Sequence, residues 1–204
     1  MGISDNMIAI QYLLIKAFFM SQTNTQSADY SEIEQLKERI NSLEEKLWRV
    51  SNIYRYESLQ NLLQEGQWFK ADQETVRLIL SIAGQTNVEN LRPAEIERLD
   101  CSELQVIDRL WSIYSNDRFG FSVQAKIYQD LGGSKQSTIE QNTGLIEQWG
   151  DRLGWRNNGN WLKCSDLDYS EKAVEGGLPG LWWNSPYGSK MTNYFLARLM
   201  SCEI

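Results

Sequence analysis

The sequence predicts an all-α protein, and three observations lead to this fold class. Apolar residues recur at steps of three and four along most of the chain, as they do on the buried face of a helix. These segments begin near Ser, Thr or Pro and end at Gly, which are common helix boundaries. The strict alternation typical of strands is almost absent. With 204 residues, the chain is long enough for one domain with an appendage and a well-buried core.

The chain opens with a hydrophobic segment and a flexible linker, which together make up residues 1–29. The run MIAIQYLLIKAFFM, residues 7–20, is too short to span a bilayer and contains two polar interruptions. Asp5 precedes it, where a signal peptide carries basic residues. Three interpretations stay open: a helix that packs on protein, an interfacial membrane anchor, or a translation start at Met20. Residues 21–29 are polar and read as the linker.

Residues 30–56 carry the pattern of a coiled coil. Apolar side chains alternate at steps of three and four over about three heptads, with Glu, Lys and Arg between them: Ile33, Leu36, Ile40, Leu43, Leu47, Val50 and Tyr54. β-branched residues at position a with Leu at position d favour a parallel dimer. We therefore expect a homodimer through residues 33–54. An amphipathic helix that packs on the same chain is the alternative.

The compact domain is predicted to cover residues 57–204 and to begin with a pair of helices. Leu59, Leu62 and Leu63 form an apolar face that ends at Gly66. A second helix follows in WFKADQETVRLILSIAG, with Gly84 at its end. The pair resembles one tetratricopeptide-style hairpin, but no second copy follows, so the chain is not a repeat array.

Further helices follow in the same domain. Their starts are marked by a proline or by capping patterns: Pro93, Ser102 with Gln105, Ser122, and Thr138 with Gln141. Their ends are marked by glycines at positions 132, 133 and 150. A last helix near residues 189–202 is expected to bury Phe195 and Leu199.

Composition excludes several classes of function. The chain has no histidine, which rules out His-dependent nucleophilic systems, His-zinc centres and histidine ligation of haem iron. The net charge of −7 is opposite to the electrostatic footprint of a nucleic-acid-binding protein. The three cysteines, Cys101, Cys164 and Cys202, are widely spaced and predict neither a disulfide framework nor a zinc site. This cysteine usage favours a reducing cytoplasm.

Without histidine, an enzyme would have to rely on carboxylates, Lys, Cys or Tyr alone, and we do not expect the carboxylates to catalyse. The acidic residues Asp72, Glu74, Asp100 and Asp108 are expected to cap helices or to lie on solvated faces. The sequence therefore predicts a binding protein and not an enzyme.

A short aromatic joint interrupts the helical pattern. In RFGFSVQ, residues 118–124, Gly120 allows a close approach of the backbone, and Phe119 and Phe121 are expected to project to one side. Packing of both rings into the core is the alternative. If the rings face a ligand, the joint forms part of a binding surface.

Tryptophan is concentrated in the second half of the chain. Of the eight copies, five lie between positions 149 and 183. They fall largely on two glycine-rich stretches, GDRLGWRNNGNW (150–161) and EGGLPGLWWNSPYGSK (175–190). Exposed aromatic residues on such loops indicate a ligand or a partner. Nearby arginines can receive carboxylates, although surface ion pairing is their ordinary use.

Several segments carry a resemblance to a known family. In order along the chain they are LLQEGQWFKADQET, CSELQVIDRLWSIYSNDRFGFSVQ, GDRLGWRNNGNW, GGLP and FLARLMSC. Together they resemble the domain of the Genomes Uncoupled Four family, over about residues 57–202. The resemblance implies a small all-α domain without chemistry of its own, which binds protoporphyrin IX and magnesium protoporphyrin on an apolar, cupped surface. It also implies a regulator of chlorophyll biosynthesis in oxygenic phototrophs, which stimulates magnesium chelatase through the large porphyrin-binding subunit of that enzyme.

The resemblance also implies a set of site residues. Phe119, Phe121 and Val123 would form the floor of the cup, and Trp182 and Trp183 a mobile wall. The ligand-binding set is completed by Trp155 and by two candidates for the propionate groups, Arg156 and Arg198. No metal would be held by the protein, and a bound magnesium would take water or another oxygen ligand as its axial ligand.

The N-terminal segments distinguish the chain from the cyanobacterial activators of the chelatase, which carry a helical-bundle extension there. Two alternatives therefore accompany the chelatase role. The first is a paralogue that binds a linear bilin, which is also flat and also bears two propionates. The second is a dimeric sensor or adaptor, joined through the coiled coil, that does not act on the chelatase. The expected location is cytoplasmic or peripheral to thylakoid membranes.

Overall fold

The computed structural model describes residues 32–43, 54–183 and 189–204. The chain divides into two units, residues 1–55 and residues 56–204. In the first unit, residues 32–43 are helical, and the side chains at the predicted a and d positions are exposed: Ile33, Leu36, Ile40 and Leu43. The coiled-coil dimer stays a prediction. The hydrophobic segment 7–20 and the second half of the heptad pattern lie outside the described residues.

The second unit consists mainly of helices, and the predicted all-α fold is confirmed. Its described helices are α1 (residues 54–64), α2 (Trp68–Ile82), α3 (Pro93–Glu97), α4 (Cys101–Ser115), α5 (Phe121–Asp130), α6 (Lys135–Ile139), α7 (Thr143–Arg152) and α8 (Ser189–Ser201). Single 3-10 turns occur at Val88–Asn90, Cys164–Asp166 and Leu181–Trp183. The domain borders at 29/30 and 56/57 stay predictions.

A small hairpin follows α7 and was not predicted. Strands β1 (Arg156–Asn157) and β2 (Asn160–Trp161) pair antiparallel, with Arg156 opposite Trp161. Strands of two residues are too short to produce the alternation that marks a strand in a sequence. The hairpin therefore does not change the fold class.

Helix α8 organises the core of this unit. It contacts α3, α5, α6 and α7, and its inner face buries Met191, Phe195, Leu196 and Leu199. The predicted burial of Phe195 and Leu199 is confirmed. Because four helices pack against it, α8 lies at the centre of the helical packing of this unit.

Two predicted helix starts are wrong because another residue supplies the cap. Helix α4 is capped by Asp100, whose carboxylate accepts a hydrogen bond from the backbone N–H of Ser102 at 2.8 Å. Helix α5 begins at Phe121, and the carboxylate of Asp108 on α4 accepts from the N–H of Ser122 at 2.8 Å. Ser102 and Ser122 therefore lie inside their helices, and the acids in front of them cap the orphan N–H groups.

The predicted start at Thr138 is also wrong. Thr138 lies in the short helix α6, which Ser134 caps. Helix α7 is capped by Asn142, whose side chain accepts from the N–H of Leu145 at 3.0 Å. The helix continues through Gly150, which the sequence had indicated as its end.

A disulfide joins the start of α4 to the end of α8. Cys101 and Cys202 are bonded, with their Cα atoms 5.1 Å apart. The sequence indicated no disulfide framework, and it missed this bond because the two residues are 101 positions apart and only the packing of α8 brings them together. Cys164 is free and buried, and burial raises the pKa of its thiol to about 11.

Candidate functional site

Two segments that the sequence singled out meet in the structure. They are the joint between α4 and α5, residues 116–120, and the segment 171–182, and we call their contact the two-loop junction. The backbone N–H of Gly120 donates to the carbonyl oxygen of Leu178 at 3.0 Å. The joint was predicted to approach another part of the backbone, and the structure shows that this part is the glycine-rich segment.

Arg118 extends the two-loop junction to the start of the second segment. Its guanidinium donates to the carbonyl oxygens of Glu171 and Ala173, both at 2.6 Å. Its own carbonyl oxygen accepts from the N–H of Gly176 at 2.8 Å. Arg118 thus contacts the loop at three points, two through its side chain and one through its backbone.

Gln124 on α5 binds the second segment of the junction, and the sequence pattern did not indicate this contact. Its side chain is fully buried, and its amide donates to the carbonyl oxygens of Gly176 at 2.9 Å and Pro179 at 2.8 Å. A glutamine in a helix normally faces solvent, so the pattern of apolar residues gave no signal for it.

An aromatic cluster lies beneath the junction, and it consists of Phe121, Trp149, Trp155, Trp182 and Phe195. Trp182 stacks on Phe195 with ring centroids 4.2 Å apart and planes inclined by 26°. Phe121 packs edge-to-face against Phe195, with ring centroids 5.3 Å apart and planes inclined by 70°. All five rings are buried. Three of the five tryptophans between positions 149 and 183 are thus gathered into one cluster.

The indole N–H groups tie this cluster to the loops above it. Trp155 donates to the carbonyl oxygen of Gly177 at 2.7 Å, and Trp182 donates to that of Pro179 at 3.1 Å. Trp149 donates to the carbonyl oxygen of Gln124 at 2.8 Å. A buried indole normally finds such a partner, and here the partners belong to the junction in two of the three cases.

Phe119 and Phe121 do not project to one side, and this part of the prediction is wrong. The ring of Phe119 packs against Trp68 and Trp111, with centroids 5.4 and 6.4 Å away. The two phenylalanines are separated by Gly120, whose φ of 132° turns the chain between them. Both rings are buried, so the alternative of core packing describes them.

Three further predicted site residues lie around the same junction. Val123 is half-buried on α5 and faces Gly176, where an added Cβ would lie 3.6 Å from its Cγ1. Trp155 is buried in the aromatic cluster, so its ring is not exposed as predicted. The side chain of Trp183 lies outside the described residues. A ligand-binding role for these residues stays a prediction.

Arg156 is held by carboxylates of this chain. Its guanidinium donates to Glu147 at 3.2 Å and to Asp151 at 3.1 Å, and it lies over the ring of Trp161 at 5.3 Å. Its side chain is only 8% exposed. Two acidic partners already offset its positive charge, which makes it a poor receiver for a further carboxylate.

Arg198 lies elsewhere, on α8, and its hydrogen bonds go to a neutral group. Its Nε donates to the carbonyl oxygen of Leu99 at 2.8 Å, and its Nη2 donates to the same oxygen. Arg198 also lines a groove of about 240 Å³ between α3, α6 and α8, together with Lys135 and the exposed side chain of Ile139. The structure thus gives the two predicted arginines different surroundings, and no described contact joins them.

Asp72 is the most unusual titratable group of the site. Its carboxylate is fully buried and accepts hydrogen bonds from the N–H groups of Gly180 at 2.7 Å and Leu181 at 3.0 Å. Tyr169 donates a longer hydrogen bond to it, at 3.4 Å. Burial raises the pKa of Asp72 to about 7, although these hydrogen bonds work in the opposite direction.

The prediction that Asp72 lies on a solvated face or caps a helix is wrong. The helical spacing contained the signal, because Asp72, Thr75 and Ile79 are separated by three and four residues and share one face of α2. Thr75 and Ile79 are both buried. An acidic residue in such a stripe needs polar partners from elsewhere in the chain, and here the segment 171–182 supplies them.

The described part of the chain contains no candidate cluster of metal ligands and no candidate membrane-spanning helix. Residues 32–43, 54–183 and 189–204 contain no group of three or more Cys, Asp or Glu side chains placed to hold a metal ion. None of the helices in these ranges combines the length and the apolar character that crossing a bilayer requires.

The comparison with family models gives one match. The model of a family described as GUN4-like matches residues 49–197. This range includes the two-loop junction, the aromatic cluster and Asp72.

Curated relatives match shorter parts of the chain. The tetrapyrrole-binding protein, chloroplastic, of Arabidopsis thaliana is 37% identical over 75 residues, which are 36% of this chain and 28% of that protein. An uncharacterized protein ycf53 of Pyropia yezoensis is 35% identical over 79 residues, which are 38% and 33% of the two chains. A Ycf53-like protein of Synechocystis sp. is 28% identical over 127 residues, which are 61% and 50%. The matches thus span between about a quarter and half of these relatives.

Two solved structures share the fold. The ligand-free structure of Arabidopsis thaliana GUN4 covers 70% of this chain and 91% of that chain, with a TM-score of 0.56 and 24% identity. The structure of GUN4 from Chlamydomonas reinhardtii covers 69% and 86%, with a TM-score of 0.51 and 25% identity. The helical arrangement around the two-loop junction is therefore one that solved proteins adopt.

Proposed function

The chain belongs to the GUN4-like family, and on this premise we propose that it is a non-enzymatic tetrapyrrole-binding protein. The name of the Arabidopsis relative supports the ligand class, since that protein is called tetrapyrrole-binding. The proposed ligand is a porphyrin of the protoporphyrin IX or magnesium protoporphyrin type. A linear bilin is the alternative ligand.

The observation that carries the proposal is the stack of Trp182 on Phe195. Its centroid distance of 4.2 Å and its inclination of 26° are close to what a flat ligand would adopt on the same ring. We propose that Trp182 occupies the stacking position of the tetrapyrrole. When the ligand enters, Trp182 moves off Phe195, and the ligand takes its place between Phe121, Phe195 and the displaced indole.

Energetic arguments favour such an enclosed position over a surface stack. If one face of a tetrapyrrole covers about 200 Å² of apolar protein surface, burial contributes about 5 kcal/mol. Micromolar affinity requires about 8 kcal/mol net of the cost of association. One covered face is therefore too little, and a site with rings on both faces meets the requirement.

Arg198 is the proposed partner of the propionate groups. It lies one turn after Phe195 on α8, and its hydrogen bonds to Leu99 leave its charge without a bonded carboxylate. Lys135, across the groove, offers a second cation. In this arrangement Phe119 and Trp155 support the site from within the core. Arg156 stays paired with Glu147 and Asp151. Val123 and Trp183 contact the ligand as the cup residues of the resemblance.

The finer proposal concerns the biological role. We propose that the bound tetrapyrrole makes the protein a regulator of chlorophyll biosynthesis, which stimulates magnesium chelatase through its large porphyrin-binding subunit. Family membership supports this role. The test is the rate of magnesium insertion by reconstituted chelatase with and without the full chain. An unchanged rate at saturating protein would contradict the chelatase role and leave ligand binding unaffected.

The test of ligand binding is a titration of the full chain with deuteroporphyrin IX, followed by tryptophan quenching and by the Soret band. We expect saturable quenching with a shifted Soret band. Arg198→Gln should weaken binding by about tenfold or more, as expected for the loss of a charge-assisted contact. Arg156→Gln is the matched control and should weaken it much less.

Two outcomes would overturn the ligand assignment. If neither quenching nor a Soret shift is observed, the adaptor function is favoured over tetrapyrrole binding. If biliverdin displaces bound deuteroporphyrin when biliverdin is at the lower concentration of the two, a bilin is favoured as the native ligand class.

One observation favours a second candidate function, that of a dimeric adaptor. The helix of residues 32–43 exposes Ile33, Leu36, Ile40 and Leu43, which fall on the predicted a/d seam. We propose that this seam pairs with a second copy of the chain. Sedimentation equilibrium should give a dimer for the parent chain and a monomer for Ile40→Asp, and a monomeric parent would contradict the proposal.

A further inference from the structure

A buried acid holds the very segment that carries Trp182. We propose that Asp72 is a proton-sensitive positioning residue, which keeps residues 180–182 docked on the core when protonated and releases them when ionised. The docking part concerns the fold alone. Its consequence for ligand entry rests on the proposed function, because Trp182 is there assigned to the stacking position of the tetrapyrrole.

The geometry of the contact makes Asp72 an anchor for two successive residues of the backbone. Its Oδ2 accepts from the N–H of Gly180 at 2.7 Å, and the N–H of Leu181 reaches both oxygens, at 3.0 and 3.1 Å. The next residue is Trp182, whose ring lies on Phe195. A change in the hydrogen bonds of Asp72 to Gly180 and Leu181 therefore affects the position of Trp182 in the aromatic cluster.

The surroundings of Asp72 lack a compensating charge. The titratable groups that act on it are Tyr169, through its hydroxyl, and Cys164, which lies near enough for the two to interact. Both are neutral in the ordinary range, since the pKa of the phenol and that of the thiol are raised by burial. Among the described residues, no basic side chain contributes to the pKa of Asp72. The ionised carboxylate is stabilised only by N–H and O–H dipoles.

Proton linkage gives the direction of the effect. In the docked conformation the pKa of Asp72 is about 7, whereas a carboxylate that water reaches after release returns towards 3.8. The docked conformation therefore binds the proton more tightly, and protonation favours it. The ratio of docked to released molecules should fall about tenfold per pH unit between about pH 4 and about pH 7, and level off above.

A protonated carboxyl group can still hold the segment. Its carbonyl oxygen accepts hydrogen bonds as before, and Oδ2 already receives both N–H groups. What protonation removes is the cost of an ion without a counter-charge in the interior. Asn at this position reproduces the neutral form, because its amide oxygen accepts but its side chain does not ionise in this range.

The test measures hydrogen exchange at the amides of Gly180 and Leu181 in the full chain, from about pH 5 to about pH 8, corrected for intrinsic exchange. In the parent protein, protection should fall about tenfold per pH unit up to about pH 7 and then become constant. In Asp72→Asn it should not depend on pH. Amides in the middle of α4 serve as the internal reference.

Two further variants keep the proposal falsifiable even if Asp72→Asn does not fold. Tyr169→Phe removes a hydrogen bond that lowers the pKa of Asp72, so the plateau should begin at a higher pH. Asp168→Asn changes an exposed acid next to Tyr169 and should leave the profile unchanged. A flat profile in the parent, or equal slopes in the parent and Asp72→Asn, would overturn the proposal.

Ligand binding is measured separately, as the affinity for deuteroporphyrin IX over the same pH range. If release opens the stacking position, affinity should rise towards neutral pH in the parent but not in Asp72→Asn. Absence of binding in all variants, with the exchange profile as expected, would overturn the proposed function and support the positioning role of Asp72. If the affinity depends on pH equally in the parent and in Asp72→Asn, the link between release of residues 180–182 and ligand entry is overturned.

Discussion

The carboxylate of Asp108 on α4 accepts a hydrogen bond from the backbone N–H of Ser122 at 2.8 Å, so one helix caps the start of the next. This contact requires the chain to pass close to α4 at the residue just before α5. Gly120 occupies that position, with a φ of 132° and space only for a hydrogen atom. The joint, its cap and the course of the backbone therefore depend on one another.

Replacement of Gly120 should disrupt this joint. In Gly120→Ala, the new Cβ would lie 2.8 Å from Oδ1 of Asp108, and the backbone would keep a φ that L-residues disfavour. We expect a loss of about 2–3 kcal/mol in the free energy of unfolding, measured by urea denaturation. Gly144→Ala is the control, since its Cβ meets no atom closer than 3.7 Å and should be neutral or stabilising. Equal stability of the two variants would contradict this account.

Trp182 should contribute to stability as a core residue. Its side chain is 6% exposed and contacts Phe195, Trp155 and Trp149. Trp182→Ala should reduce the free energy of unfolding by about 3–5 kcal/mol because it leaves a large cavity. It should also weaken deuteroporphyrin binding, since the second face of the ligand loses its cover. Ile113→Ala, at a side chain that is 52% exposed, is the control and should cost much less.

Gln124 should stabilise the two-loop junction through both of its hydrogen bonds. Gln124→Leu would leave the carbonyl oxygens of Gly176 and Pro179 without this donor in a buried place. We expect a loss of about 2–3 kcal/mol in chemical denaturation and faster amide exchange in residues 171–182. Gln129→Leu, at an exposed position of the same helix, should change neither quantity. Unchanged exchange in Gln124→Leu would show that the segment is held by other contacts.

The disulfide should stabilise the domain substantially. Cross-linking residues about 100 positions apart restricts the unfolded chain, which corresponds to up to about 5 kcal/mol. Addition of dithiothreitol should therefore lower the melting temperature of the parent. The double variant Cys101→Ser with Cys202→Ser should melt at the reduced value with or without the reductant. A parent that does not respond to the reductant would show that this bond is absent in solution.

Stability should depend on pH through Asp72. Its pKa is raised from 3.8 to about 7 in the folded protein, so the folded state binds the proton more tightly than the unfolded state. The contribution of the neutral acid is complete below about pH 4 and is lost as the pH rises through about 7, with about 4 kcal/mol as the upper limit. Urea denaturation at several pH values should show this fall in the parent and a smaller one in Asp72→Asn. Equal curves would indicate that the carboxylate is hydrated in the native state.

The sequence predicted the helices well because their apolar periodicity is a local property. It predicted three helix starts wrongly because the caps depend on other residues. Asp100 precedes the expected cap Ser102, and Asn142 follows the expected cap Thr138. Asp108 reaches α5 from a different helix. The caps by Asp100 and Asn142 are local, and only the cap by Asp108 arrives through tertiary packing, which a capping pattern within four residues cannot reveal.

The sequence predicted which segments form the site, but it did not predict that their aromatic side chains are buried. RFGFSVQ and the glycine-rich loop do meet, but the rings of Phe121 and Trp182 lie on the core side of their contact. Sequence reasoning treated aromatic residues on glycine-rich stretches as exposed, and it treated Asp72 as solvated. Both errors have one cause, because the burial of Asp72 and of Trp182 is produced by the same loop, whose path over α2 and α8 is a tertiary property.

The position of α8 late in the chain determines when the core can form during synthesis. Phe195 covers the rings of Phe121 and Trp182, and Cys202 follows the same helix, so the ribosome must release almost all of the described chain before these partners exist. A nascent chain that ends in the glycine-rich loop exposes several indoles and a thiol to the cell. We therefore expect this domain to complete its fold only once α8 has been synthesised.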